Sequence, residues 1–376
     1  MGTVTKRKYK LKEPYVGVLK VLCVILGIIL VIFLFYRYQI NTIKKLGYSE
    51  KASNYILFHF KKDYVLQVGE NKTLNAAFES SDYNEKYIDR YKKIKYQKQE
   101  HLIKNINAFI KKKYSNSDIS LILSRGSDKD VSDFSKRDRV RYIEEFLVFD
   151  FAKLKNYDRY VEYSDLNGDE DEDVVIYVNM DLDKEAYTDA VEEKNYGIDM
   201  VVNKHRFLNK KFDPDLVKVS TKYASEAGML LRKEAMDAYI EMSKACEKDG
   251  LSIVINSAYR SYDDQVDMSN LYLRTYGQSY VDKYVAKPGY SEHQTGLAFD
   301  IGSKSVNVFA NSKEYKWMLD NSYKYGFILR FTKAYEDITG FRNEPWHYRY
   351  VGKEAAKEIY DKDMTLEEYY VKYLDK

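Results

Sequence analysis

The stretch Ser291-Glu-His-Gln-Thr-Gly-Leu-Ala-Phe-Asp-Ile-Gly302 decides how the second half of this chain is read. In a strand, side chains alternate between two faces. Over Leu297–Gly302 that puts Leu297, Phe299 and Ile301 on an apolar face and Ala298, Asp300 and Gly302 on the other. Asp300 therefore points away from the core side. Seven residues earlier, His293 sits among small polar residues and Gly296, in a loop that feeds the strand. A loop imidazole and a strand carboxylate then meet at one point. Farther along, Asn343-Glu-Pro-Trp-His-Tyr-Arg-Tyr-Val-Gly352 supplies Glu344 and His347. Pro345 disfavours helical geometry at Glu344, so this pair belongs to a bent or extended segment.

Working outward, the texture beyond residue 200 mixes helices and strands. SEAGMLLRKEAMDAYIEMSKACEKDG has helical periodicity and a glycine stop at Gly250. LSIVINSAYR reads as a strand running into a loop, and SYDDQVDMSNLYLRTYG as a second helix. The fold class expected is α+β, a small antiparallel sheet flanked by helices over residues 161–376.

Two imidazoles and a carboxylate are the ligand types of a catalytic zinc site, which keeps a fourth position for water, whereas structural sites usually close with four ligands. Most isolated histidines only bond locally. Here two of the five histidines each lie near a carboxylate. With Zn2+ on His293, Asp300 and His347, Glu344 is placed to take a proton from the water and return it to a leaving amine. The chain has no HExxH, so a zincin is excluded.

At these residues the sequence resembles the VanY-type D-alanyl-D-alanine carboxypeptidases, relatives of the VanX dipeptidases. The segments that carry the likeness are SEHQTGLAFD, EPWH, SAYRSYDDQ and VVNKHRFLNKKFDPDLVKV, spanning about residues 200 to 360. The resemblance implies metal ligation by His293, Asp300 and His347, with Glu344 as general base. It implies that Arg260 stabilises the oxyanion or the substrate carboxylate, and that Ser291 and Gln265 help to hold the peptide's C-terminus. A planar guanidinium suits a terminal carboxylate, and Arg330, Arg342 and Arg349 are competitors for that task. Trp346, Tyr348 and Tyr259 read as packing aromatics.

The N-terminal third has a different character. Tyr15–Tyr36 is apolar apart from Lys20, long enough at about 1.5 Å per residue to cross a hydrocarbon core of about 30 Å. Lys6, Arg7, Lys8, Lys10 and Lys12 precede it, against Arg37, Lys44 and Lys45 after it, which places the N-terminus in the cytoplasm and the remainder outside. No small-x-small cleavage site follows the run, so an uncleaved single-pass anchor is expected. The expected layout is a basic tail over 1–14, a transmembrane anchor over 15–37, a helical stalk over 38–160 and a peptidase domain over 161–376.

In the stalk, Ile94, Leu102, Ile103, Ile106 and Phe109 recur at helical spacing between lysines. A faint echo pairs YSEKASNYIL at Tyr48 with YSNSDISLIL at Tyr114, each with Ser before an apolar run as an N-cap would stand. DLNGDEDED, Asp165–Asp173, fails as an EF-hand loop because Glu170 and Ile176 occupy positions that need Gly and Glu. It reads as an acidic turn before a strand, VVIYVNM. Cys23 and Cys246 make no disulfide framework; Cys246 reads as a small buried hydrophobe.

The net charge of +3, from 61 basic and 58 acidic residues, gives no field that would draw the chain to nucleic acid. The function expected is a membrane-anchored carboxypeptidase that trims the terminal D-alanine from peptidoglycan stem peptides. Alternatives are an L,D-carboxypeptidase or wall endopeptidase of the same family, or a non-catalytic wall-binding anchor stabilised by zinc. An intact Glu344 weighs against the last, because a structural site needs no base.

Overall fold

A computed structural model describes residues 13–303 and 308–375. The basic residues Lys6 to Lys12 of the expected tail lie outside them. The chain divides into two compact units, residues 1–144 and 145–376.

The first unit begins with α1, Glu13–Lys44, whose segment from Tyr15 is long and apolar enough to cross a membrane and is exposed along the apolar run. The helix outlasts the expected span, and its last turns carry the buried Ile40 and Ile43. Short helices follow, among them Glu50–Phe58, Lys72–Glu79, Leu102–Lys111 and Asn116–Arg125. They bury one face each, with Ile56, Leu74, Phe78, Ile106, Phe109 and Ile122 inside. Both members of the echo start alike. Ser49 and Ser115 adopt the same extended N-cap geometry, and each accepts a hydrogen bond from the N–H three residues on. Ser115 completes a capping box with Asp118.

The second unit starts at Glu145, earlier than the division expected at 160. The cause is packing: Ile176 and Met180, with half-buried Phe151, join a core with Ile328, Val351, Ala356, Ile359 and Leu366. The expected strand Val174–Met180 is a helix instead, Asp171–Asn179. Its first turn holds Asp171, Glu172 and Asp173, so the acidic run sits where the helix dipole favours negative charge. Val174, Val175, Ile176 and Val178 are all buried, and burial on several sides overrides their preference for strands.

The sheet that positions the site has four antiparallel strands: β1 Ile253–Ser257, β2 Ala298–Ser303, β3 Phe327–Leu329 and β4 His347–Tyr350, in spatial order β1-β2-β4-β3. Phe299 and Ile301 enter the main core with Tyr239, Met242, Ile255 and Phe327, as the alternation requires. Leu297, just before β2, packs in a separate cluster with Met200, Val202, Leu208 and Ala235. Helix α2, Lys233–Lys248, covers the sheet with Ala238, Tyr239, Met242 and Cys246. It starts later than the periodicity suggested, because Leu230–Arg232 is taken up in a two-stranded pairing with Leu216–Lys218. Gly250, at φ +76°, supplies the expected stop. Cys246 is fully buried, and burial pushes its thiol up to about 12.

Candidate active site

Asp300 and His347 stand directly opposite each other on β2 and β4, so their side chains share one face of the sheet. On the other side of β2, Asp300 pairs with Ser257 across a bulge that leaves Asn256 as the extra residue. The bulged Asn256 lies over Gly302, where a Cβ would come within 2.3 Å of its amide nitrogen. His293 arrives from a 3-10 turn, Glu292–Thr295, opened by Ser291, whose Oγ accepts from the His293 N–H at 3.3 Å. The turn is closed by Gly296 at φ +68°, where a side chain would meet Leu216 at 2.7 Å.

Hydrogen bonds select which nitrogen each imidazole presents. His293 Nδ1 lies 2.7 Å from the Ala258 carbonyl and can only donate to it, which leaves the Nε2 lone pair facing Asp300 Oδ1 at 3.5 Å. His347 is turned the other way. Its Nε2 lies 3.2 Å from Glu292 Oε2, and its Nδ1 faces Asp300 Oδ1 at 3.1 Å. One ligand atom from each of His293, Asp300 and His347 lies within 4.8 Å of the other two. Tetrahedral zinc with bonds near 2.0–2.1 Å spaces its ligand atoms by about 3.3 Å, so the two imidazole-to-carboxylate separations suit a shared cation.

Glu344 flanks the three, with Oε2 3.9 Å from His347 Nδ1. The backbone turns here: His347 N–H donates to the Glu344 carbonyl at 3.0 Å, and Glu344 N–H to Phe331 O at 3.0 Å. Burial, opposed by the charge on His347, raises the Glu344 carboxyl to about 7. Asp300 is driven the other way. Its burial is outweighed by both imidazoles, which hold its carboxyl well below the usual range.

All four line a cavity of about 590 Å³, together with Arg260, Gln265 and Ser291. Arg260 donates to Gln265 Oε1 at 2.8 Å and Ser257 Oγ at 3.2 Å. Gln265 in turn donates to the Ala286 carbonyl at 2.7 Å, so its amide braces Arg260 and the cavity wall. Among the competing arginines, Arg342 lines the cavity and pairs with Glu336 at 2.6 Å. Arg330 and Arg349 are fully buried beneath it.

Those two arginines belong to a network that motif spacing did not reveal. Glu292 Oε1 accepts from Arg330 Nε at 2.8 Å and Arg349 Nη1 at 3.0 Å. Arg330 also forks onto Glu367 at 2.9 and 2.5 Å, and Glu367 accepts from Asn203 at 3.0 Å. Arg349 completes its bonds on the Ile198 and Met200 carbonyls. The only available signal was Glu292, wedged between Ser291 and His293; its partners are remote in sequence. One aromatic reading is corrected. Tyr348 is buried against Phe299 as expected, but Trp346 is 42 % exposed and lines the cavity. In β4 the neighbours of His347 alternate, and at Trp346 the chain has only just left the turn that Pro345 imposes.

The chain is similar to several known proteins over its C-terminal half. A family model described as VanY, D-alanyl-D-alanine carboxypeptidase, matches residues 228–353. Putative carboxypeptidase YodJ of Bacillus subtilis is 45% identical over 46% of this chain and 66% of its own length, so slightly less than two thirds of that relative is spanned. The bifunctional D-Ala-D-Ala dipeptidase and D-Ala-D-Ala carboxypeptidase VanXYC of Enterococcus gallinarum is 32% identical over 45% of this chain and 92% of its own length. Among solved structures, the LdcB LD-carboxypeptidase is 42% identical, with a TM-score of 0.46, covering 50% of this chain and 92% of that one. With near-complete coverage of one relative and a family model over the residues that build the site, this chain belongs to the VanY D-alanyl-D-alanine carboxypeptidase family.

Proposed function

We propose that the chain is a membrane-anchored, zinc-dependent D,D-carboxypeptidase that removes the terminal D-alanine from peptidoglycan stem peptides outside the cell. The observation that carries this reading is the convergence of His293, Asp300 and His347 donor atoms beside half-buried Glu344, in one cavity with Arg260. Family membership supports the substrate class, since VanXYC acts on D-Ala-D-Ala.

The donor set fits zinc: two imidazole lone pairs, each ring oriented by a bond on its far nitrogen, and one carboxylate. When bound, the cation supplies Lewis acidity toward the scissile carbonyl and acidifies the attacking water. Glu344 takes the proton from that water and passes it to the departing amine nitrogen as the C–N bond breaks. Its carboxyl, at about 7 without a cation, is drawn lower by neighbouring positive charge and so is ionised when the water needs a base. Arg260, prepositioned by Gln265 and Ser257, pairs the terminal carboxylate of the peptide or the oxyanion. Ser291 and Gln265 frame that end of the cavity.

The apolar segment of α1 serves as the anchor, and the excess of Lys and Arg before it sets the N-terminus in the cytoplasm. The helical unit then stands between membrane and wall. The test is mass spectrometry of defined stem peptides incubated with the detergent-purified chain, with and without a chelator. Chelator-sensitive loss of one alanine from a pentapeptide supports the proposal. Loss from a tetrapeptide alone replaces D,D- by L,D-specificity, and no loss from either removes the enzymatic reading.

A further inference from the structure

Four tyrosines follow one another at every fourth position, Tyr272, Tyr276, Tyr280 and Tyr284, across helix α3, Tyr262–Tyr276, and helix α4, Gln278–Tyr284. Their ring centroids are 5.7, 4.6 and 4.9 Å apart in succession, and the ring planes are tilted by 33 to 41° rather than stacked. Tyr276 is 56 % exposed and Tyr284 49 %. Tyr272, Tyr280 and Tyr284 also line the catalytic cavity, so the ladder is continuous with it. Trp346 lines the same cavity and is exposed as well.

Exposed aromatic rings in a connected row are unusual on a soluble face unless something covers them. The phenol groups combine apolar ring faces with hydroxyls left in water. A pyranose ring needs that combination, because its C–H face is apolar while its equatorial hydroxyls must stay hydrated. The Tyr272 and Tyr280 rings are themselves 6.1 Å apart and the Tyr280 and Tyr284 rings 4.9 Å, so the four rings span no more than about 11 Å, about the length of two sugar rings.

We infer that the tyrosine ladder is a glycan subsite: it binds the sugar rings of the wall strand that carries the stem peptide, while the peptide's C-terminus enters the cavity. The inference rests on the stem-peptide reading of the site. It makes the glycan-linked stem, rather than free peptide, the preferred substrate.

The test compares kcat/KM for a free stem pentapeptide with that for the same peptide on an N-acetylglucosamine–N-acetylmuramic acid disaccharide, using the full chain in detergent. The wild type should favour the glycan-linked substrate by about three- to tenfold per ring engaged. Tyr276→Ala should abolish the preference, through KM rather than kcat, and Tyr276→Phe should restore it. Equal rates on the two substrates, or a preference untouched by Tyr276→Ala, overturns the subsite and leaves the peptidase reading in place. If neither substrate is cut, the peptidase reading fails, and the ladder is judged by binding of an N-acetylglucosamine trimer alone. Saturable tyrosine fluorescence change that Tyr276→Ala weakens supports it; no change overturns it.

Discussion

Glu292 Oε2 lies 3.2 Å from His347 Nε2, and the same carboxylate is gripped on its other oxygen by Arg330 and Arg349. A buried carboxylate thus determines which nitrogen of a candidate ligand faces the cation position. Burial alone would favour its neutral form, but the two guanidinium groups and His347 hold it ionised.

Replacing Glu292 by Gln keeps an acceptor for His347 and removes the charge. We expect metal affinity to fall by about 10- to 100-fold, read by competition with a chromophoric chelator. Unchanged affinity would reduce Glu292 to a purely structural counter-ion of the arginines.

Glu344→Gln is expected to lower turnover by about 10²- to 10⁴-fold, the span typical of a removed general base, while the protein still carries its metal. His347→Ala should lose metal and turnover together. Elemental analysis beside the peptide assay separates the two; a Glu344→Gln enzyme with near-normal rate would exclude the carboxylate as base.

Burial disfavours a charged His347, yet its hydrogen bonds with Asp300 and Glu292 prevail and raise its pKa from 6.5 to about 9. A ligating imidazole is neutral, so zinc added to metal-free protein at pH 8 should displace protons, visible with an indicator dye in weak buffer. The raised value also has a stability consequence. The stabilisation is fully present below the unfolded value near 6.5 and is lost as pH rises through about 9, so the metal-free melting temperature should decline across that window. A flat profile would remove the charged state of His347 from the account.

Glu367 is fully buried and forks onto Arg330, whose other carboxylate partner, Glu292, is shared with Arg349. Glu367→Ala leaves that guanidinium short of a counter-ion, at a cost of about 3–5 kcal/mol. Thermal or urea unfolding checks this, and a change under about 1 kcal/mol would contradict it. Since Glu367 lies beyond the family match at 228–353, the C-terminal segment Leu366–Tyr369 is tied to the site through Arg330 and Glu292.

Alternation along β2 was enough to turn Asp300 away from Phe299 and Ile301, and the types and spacing of His293, Glu344 and His347 were enough to single them out as a candidate metal site. The length and composition of the apolar helix needed no tertiary information either. These features are local, set by side-chain periodicity and residue chemistry. The register that puts Asp300 opposite His347, the carbonyl and carboxylate that orient the two imidazoles, and the Glu292–Arg330–Glu367 chain were decided only when distant segments packed. So were the helix at Asp171–Asn179, the exposure of Trp346 and the tyrosine ladder at the cavity mouth. Burial and pairing between remote residues depend on the whole fold, and no window of sequence contains them.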